Sequence, residues 1–178
     1  NTFKILINSF YGYLGFAQGH FADFEAAAAV TAKGRELLRA MVEWLQGRGA
    51  RVIEIDTDGI YFQPPAGVDA AELEAGLRGI LPEGIDVEFD ARYAAMLSYK
   101  AKNYALLAPD GRLTLTGAAL KSRGMEPYLR EYLLRAIGHI LRGESAAVHA
   151  LRAEFEHAIR ERAWPIERLA KTESLQDS

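Results

Sequence analysis

Apolar and polar positions follow different rhythms along the chain, and the rhythm assigns the elements. Residues 2–11 are mostly apolar, with Lys4 the one charge. That run is too short for periodicity to separate a helix from a buried strand. Gly12, Gly15 and Gly19 then mark a loop. From about Ala22, Ala27, Val30, Gly34, Leu38, Met41 and Leu45 recur at spacings of three and four, which predicts one face of a long helix. Gly34 on that face predicts a close backbone approach, and Gly47 and Gly49 a helix stop. Residues 51–63 switch to two short apolar runs, Val52-Ile53 with Ile55 and Ile60-Tyr61-Phe62, around the turn signal Asp58-Gly59. They predict a β-hairpin.

Pro64-Pro65 ends that hairpin. Asp69 with Glu72 predicts a capping box opening a helix to about Gly79, closed by Pro82-Glu83-Gly84. Residues 85–107 read as extended, with Ile85, Val87 and Phe89 alternating with acids. Pro109-Asp110-Gly111 predicts a turn and Arg112–Thr116 a returning strand. Two helices follow. One spans about 126–142, with Leu129, Leu133, Ile137 and Leu141 on a face. The other spans about 146–161, capped by Ser145, with Val148, Leu151, Phe155 and Ile159 apolar. The tail beyond Trp164-Pro165 is expected to fray. Antiparallel strands with intervening helices predict an α+β domain, its helices on one sheet face.

The chemistry concentrates in the first hairpin. Asp56 and Asp58 lie two residues apart at its tip, on rigid supports. Paired carboxylates held this way suit hard divalent cations, which take oxygen ligands and share substrate phosphates. An ordinary β-turn also favours Asp and Gly for backbone reasons alone. The four histidines (His20, His139, His149, His157) show no ligand spacing and read as surface or satisfied residues.

Composition narrows the class. With 178 residues, 49% hydrophobic and 25% charged, the chain is globular rather than disordered. No apolar run approaches membrane-spanning length, and no signal peptide is expected. The absence of cysteine excludes disulfides and thiolate metal sites and suits a cytoplasmic protein. Net charge is −3, but it is unevenly spread. Residues 69–90 hold seven acids against Arg78. Residues 100–130 hold Lys100, Lys102, Arg112, Lys121, Arg123 and Arg130 against Asp110 and Glu126, a local balance of +4. Such a stretch can track a phosphate backbone, or it can be a solvated face. The chain also begins inside an apparent element, and a piece of a longer protein is expected.

Two motifs together point to a family. Lys4-Ile5-Leu6-Ile7-Asn8-Ser9-Phe10-Tyr11-Gly12 resembles the K-x-x-x-N-S-x-Y-G fingers helix of family B DNA polymerases. Asp56-Thr57-Asp58-Gly59 resembles that family's second palm carboxylate motif. Val30–Arg35 is similar to the helix joining them, Lys102-Asn103-Tyr104 to a basic DNA-contacting segment, and Gly124-Met125-Glu126 to the Gly-Leu-Glu beyond it. Pro165–Leu169 with Lys171-Thr172 resembles the start of the thumb. Glu54-Ile55 stands where the family usually has Tyr-Gly, Gly59 where it has Ser, and Ala101 and Asn103 replace two basic positions. These departures resemble a divergent, bacterial-like branch.

The resemblance implies an α+β palm sheet packed against helices, with a helical C-terminal extension. Residues 1–20 would end a fingers helix and its connecting loop, 21–124 would form the palm, and 125–178 would lead into the thumb. It implies template-directed nucleotidyl transfer from a dNTP to a primer 3′ end in DNA replication or repair. Two Mg²⁺ ions would be held by Asp56 and Asp58 and by an aspartate outside this chain. Which Asp bridges the metals is open, since the second Asp of such motifs can act from behind the ligands. Lys4 would meet triphosphate oxygens and Asn8 donate to phosphate, while Tyr11 would lie beneath the nascent base pair; the three share a helix face. Lys102, Tyr104, Lys121 and Arg123 would contact DNA, and Glu88 is a candidate extra carboxylate. Expected partners are primer–template DNA, dNTP and the rest of a polymerase chain (N-terminal, exonuclease, fingers and thumb regions), with no membrane; the isolated chain is expected to be inactive. The rival readings are a noncatalytic palm-like DNA-binding module and a D-x-D metal-dependent glycosyltransferase.

Overall fold

The computed structural model describes residues 2–56, 59–117 and 124–171, residues 2–4 by their backbone. It is a mixed α and β architecture with small antiparallel sheets. The chain separates into two compact units, Asn1–Glu88 and Phe89–Ser178, each described by itself. The first holds α1 (Thr2–Leu14), α2 (Phe24–Gly47), β1 (Arg51–Ile55), β2 (Ile60–Gln63) and α3 (Ala70–Arg78). The second holds β3 (Ala95–Lys100), β4 (Asn103–Leu107), β5 (Leu113–Thr116), α4 (Pro127–Leu141), α5 (Ser145–Arg160) and α6 (Ile166–Leu169). The strands therefore fall into two sheets, β1-β2 and β3-β4-β5.

In the first unit the ambiguous opening run is a helix. The loop after α1 folds around Tyr13, whose hydroxyl accepts the His20 N–H at 3.0 Å. Asp23 then opens α2, its carboxylate accepting the Ala26 N–H at 2.9 Å, as an N-cap side chain should. At the other end Gly49 takes φ +84, and the Ala50 N–H returns to the Leu45 carbonyl. That six-to-one closure needs the left-handed region glycine enters freely. Only the C-terminal half of the expected α2 stripe is covered. Leu45 is fully buried with Leu73 and Leu77 of α3, and Trp44 packs so tightly on Gly76 that a Cβ there would collide with the indole. Val30 stays 54% exposed, and a Cβ at Gly34 would meet nothing within 4 Å. Gly34 therefore makes no close backbone approach among the described residues.

Two other local expectations change. Asp69 sits at the N-cap of α3 but makes no side-chain cap bond. Residues 85–94 form no strand. Arg78 Nε donates to the Asp86 carboxylate at 2.7 Å and to the Val87 carbonyl at 3.1 Å, so a side chain takes up backbone capacity that a sheet neighbour would need.

In the second unit β4 is the central strand, and Tyr104 to Leu107 are buried along it. Its turn to β5 uses Gly111 at φ +87, with the Asp110 carboxylate accepting the Arg112 N–H, as the Pro-Asp-Gly sequence predicts. Helix α4 packs on β3 and β4 and is matched antiparallel with α5. Ala136 of α4 meets Leu151 and Phe155 of α5, with Tyr128, Tyr132 and Trp164 around them. Of the tail expected to fray, the described part is held: Trp164 stands edge-on to Phe155, and Arg168 of α6 reaches Glu131 at 2.6 Å, while residues 172–178 lie outside the described residues. Ser145 is the first residue of α5 rather than its cap. Glu144 holds the cap position, and its carboxylate turns back to His139 at 2.6 Å and to Arg142.

Arg135 binds Glu154 through two parallel bonds of 2.8 and 2.7 Å. That bond holds the Glu154 carboxyl below its ordinary range. A depressed carboxylate stabilises the fold above its unfolded pKa, and the contribution is lost as pH falls through the folded value. The melting temperature of the second unit should drop on acidification below the carboxylate range, and Glu154→Gln should reduce that drop. The pair is exposed, so the effect is small and screened by salt. Equal drops in both proteins would exclude this pair as the cause.

Candidate active site and DNA-contacting hairpin

Hydrogen bonding fixes the first hairpin up to its tip. Ile55 pairs with Ile60, and the Asp56 N–H donates to the Gly59 carbonyl at 2.9 Å. Asp56 is therefore the first corner of the turn, half-buried, with its backbone tied across the ladder. Asp58 lies outside the described residues. The register shifts by one between Val52 and Glu54, a β-bulge that sharpens local twist beside the tip.

Exposure along β1 alternates, and its phase is informative. Ile53 and Ile55 are exposed, whereas Val52, Glu54 and Asp56 are half-buried. Glu54 therefore lies two residues from Asp56 on the covered side. The sequence reading passed over this carboxylate. The signal was available as an acid in phase with Asp56 inside an apolar strand. Among the described residues no three His, Cys, Asp or Glu side chains form a metal-holding group. The donors fit a hard cation in kind, and any complete ligand set must draw on groups beyond them.

Asn8 and Tyr11 are exposed on α1, and Lys4 lies on the same helix by its backbone. Helix α1 and strand β1 both pack on α2, which is how residues so far apart in sequence come to share one unit. Glu88 is exposed in a segment without strand structure. His139 is satisfied by Glu144, and His20, His149 and His157 are exposed.

The expected DNA-binding residues separate. Lys102 is exposed in the turn between β3 and β4, with φ 59, a conformation few non-glycine residues adopt. Three features hold that turn. Lys100 pairs with Asn103 across it, and the Asn103 amide donates to the Ala101 carbonyl at 3.0 Å. Gly117, at φ +100 just beyond β5, lies against it so closely that a Cβ would collide with the Lys102 carbonyl and the Asn103 side chain. Tyr104 does not share the exposure. It is 6% exposed in β4, so it anchors the strand behind Lys102 and offers no face to a ligand. Lys121 and Arg123 lie outside the described residues. Glu126 and Pro127 open α4, with proline at the first helical position where its missing N–H costs nothing.

Comparison with known proteins agrees in direction. Residues 1–177 match the sequence model of DNA polymerase family B. "DNA polymerase 1" of Pyrococcus abyssi is 31% identical over 145 residues, covering 78% of this chain and 19% of that protein. The DNA polymerase of Archaeoglobus fulgidus is 37% identical over 123 residues, 67% of this chain and 15% of the relative. The family B DNA polymerase of the hyperthermophilic archaeon Pyrobaculum calidifontis superposes with a TM-score of 0.76 at 26% identity. That match covers 98% of this chain and 22% of the other. The chain thus spans about a fifth of the length of the relatives it matches.

Proposed function

The chain belongs to DNA polymerase family B, and from that membership we propose that it works within a longer polymerase, contributing one side of the nucleotidyl-transfer site. The observation that carries this reading is Asp56, half-buried at the corner of an antiparallel hairpin whose register fixes its backbone. In this reading residues 1–20 finish a fingers helix, 21–124 form the palm and 125–178 lead into the thumb. The substrates are a dNTP and the 3′ end of a primer on template DNA, copied in replication or repair in the cytoplasm.

Asp56 and Asp58 would hold Mg²⁺, which when bound supplies positive charge to the phosphoryl oxygens in the transition state. The chain's own residues do the rest. The hairpin presents its carboxylates on a support that does not reorganise during reaction, which is the physical content of preorganisation. Lys4 neutralises triphosphate charge, Asn8 donates to a phosphate oxygen one helical turn away, and Tyr11 supports the incoming base pair from the same helix face. Lys102, Lys121 and Arg123 hold the primer–template backbone.

Primer extension by the polymerase carrying this chain should stop when divalent ions are chelated and resume when Mg²⁺ is restored. Extension that continues in excess chelator would remove the metal from the reading. A second test concerns DNA. Each phosphate contact releases about 0.9 counterion on binding, so replacing Lys102, Lys121 and Arg123 together with alanine should reduce the slope of log affinity against log salt by about three. An unchanged slope would place DNA elsewhere.

A further inference from the structure

We propose that the tip of the β3–β4 hairpin carries a second kind of DNA contact. The exposed ring of Tyr99 packs on the sugar–base face of the bound strand, and Lys100 meets the adjoining phosphate. The proposal rests on the reading that DNA runs past Lys102.

Its starting point is the strand register. Ser98 pairs with Tyr104 and Lys100 with Asn103, which leaves Tyr99 as an extra residue without a cross-strand partner. A bulge of this kind re-aims a side chain and is common beside functional sites. The side chain it re-aims is 67% exposed, the least covered aromatic of the second unit. The Lys100 ammonium lies 5.3 Å from the Tyr99 ring centroid, within cation–π range. Lys102 follows two residues later in its constrained turn. Lys100 and Lys102 are two of the six cations behind the +4 balance of residues 100–130 in a chain of net charge −3. An exposed ring beside lysines is the combination that binds a nucleic-acid strand without reading its sequence. Every base has a π-face and every nucleotide a charge. Neither Tyr99 nor Lys100 has a part in the transfer chemistry proposed above.

The two forces respond differently to salt, and this makes them separable. Affinity for a fluorescent primer–template is measured across a salt series for the polymerase carrying this chain and its Tyr99→Ala, Tyr99→Phe, Lys100→Ala and Lys102→Ala variants. Tyr99→Ala should weaken binding about tenfold at every salt concentration without changing the slope. Tyr99→Phe, which keeps the ring, should bind like the parent. Lys100→Ala should flatten the slope by about 0.9. Tyr99 is exposed, so its variants should melt like the parent, and a matched melt confirms that binding is what changed. Tyr99→Ala binding within about twofold of the parent would overturn the proposal, as would a loss equal in Ala and Phe. If Tyr99→Ala weakens binding and Lys102→Ala leaves the slope unchanged, the stacking contact stands and the role given to Lys102 falls. The opposite pattern retains Lys102 and removes Tyr99.

Discussion

Replacing Asp56 with alanine is expected to lower nucleotide incorporation about a thousandfold while primer–template affinity stays within about twofold. The size follows from what is lost. An oriented charge aimed at a developing transition state contributes roughly a hundred- to a thousandfold per group, and a metal ligand contributes through the ion it holds. Binding should survive because, in the proposed reading, the carboxylate serves the reacting phosphates while the DNA contacts fall to Lys102, Lys121 and Arg123, away from this hairpin in sequence. Asp56→Asn, with the same shape and no charge, should be nearly as impaired, which separates charge from hairpin geometry. The measurement is single-turnover extension with Mg²⁺, paired with an anisotropy titration. Near-normal incorporation by Asp56→Ala would end the assignment of this hairpin as catalytic. A parent enzyme that binds DNA and extends nothing would favour the noncatalytic palm.

The second large effect is on stability. Phe155→Ala should destabilise the second unit by about 3–5 kcal/mol, the usual cost of emptying an aromatic core position. Phe155 is 4% exposed, meets Tyr132 edge-on at 5.3 Å and Trp164 at 4.9 Å, and lies under the Arg135 guanidinium. Its removal loosens α5 from α4 and from the Trp164 segment together. Ile159→Ala, one helical turn on, is the control. Ile159 is 45% exposed, and its loss should cost no more than about 0.5 kcal/mol. Denaturant unfolding followed by tryptophan fluorescence and circular dichroism reads both. A Phe155→Ala cost below about 1 kcal/mol would show that this cluster does not hold the unit together.

Elements with a strong local signal were legible in the sequence. The β1–β2 and β4–β5 hairpins announced themselves by turn residues, and α2, α4 and α5 by apolar spacing, because both signals act within a few residues. The β3–β4 turn at Ala101-Lys102 did not, and its stretch read as extended. What depends on a distant partner was not legible. Gly34 lies in phase with a buried stripe, yet the partner that covers Leu45 stops short of it. Ile85, Val87 and Phe89 alternate like a strand, but Arg78, a helical residue several positions back, claims the Val87 carbonyl. Ser145 looks like a cap until Glu144 is seen to occupy that place. At the candidate site, the turn signal placed Asp56 at a hairpin tip, since both hairpin strands are local. The motif placed Tyr104 with Lys102, although β4 is the central strand, buried from Tyr104 to Leu107, and only the turn before it is exposed. Glu54 and Tyr99 were missed for a related reason. Which side each faces is set at a register shift that the pattern of residue types does not reveal.

The contact between Gly117 and the Lys102 turn sets a rule for recombining such enzymes. Two positions well apart in sequence meet in space and are expected to be exchangeable only together. Lys102 in the left-handed region sits against Gly117, just beyond β5, where any side chain would collide with the Lys102 carbonyl and Asn103. A chimera that imports the tip alone brings a lysine with no fixed aim, and one that imports only the distal strand brings a clasp with nothing to close on. The exchangeable cassette is therefore expected to run from Ala95 to Gly117, since a breakpoint between Lys102 and Gly117 separates the turn from the glycine it packs against.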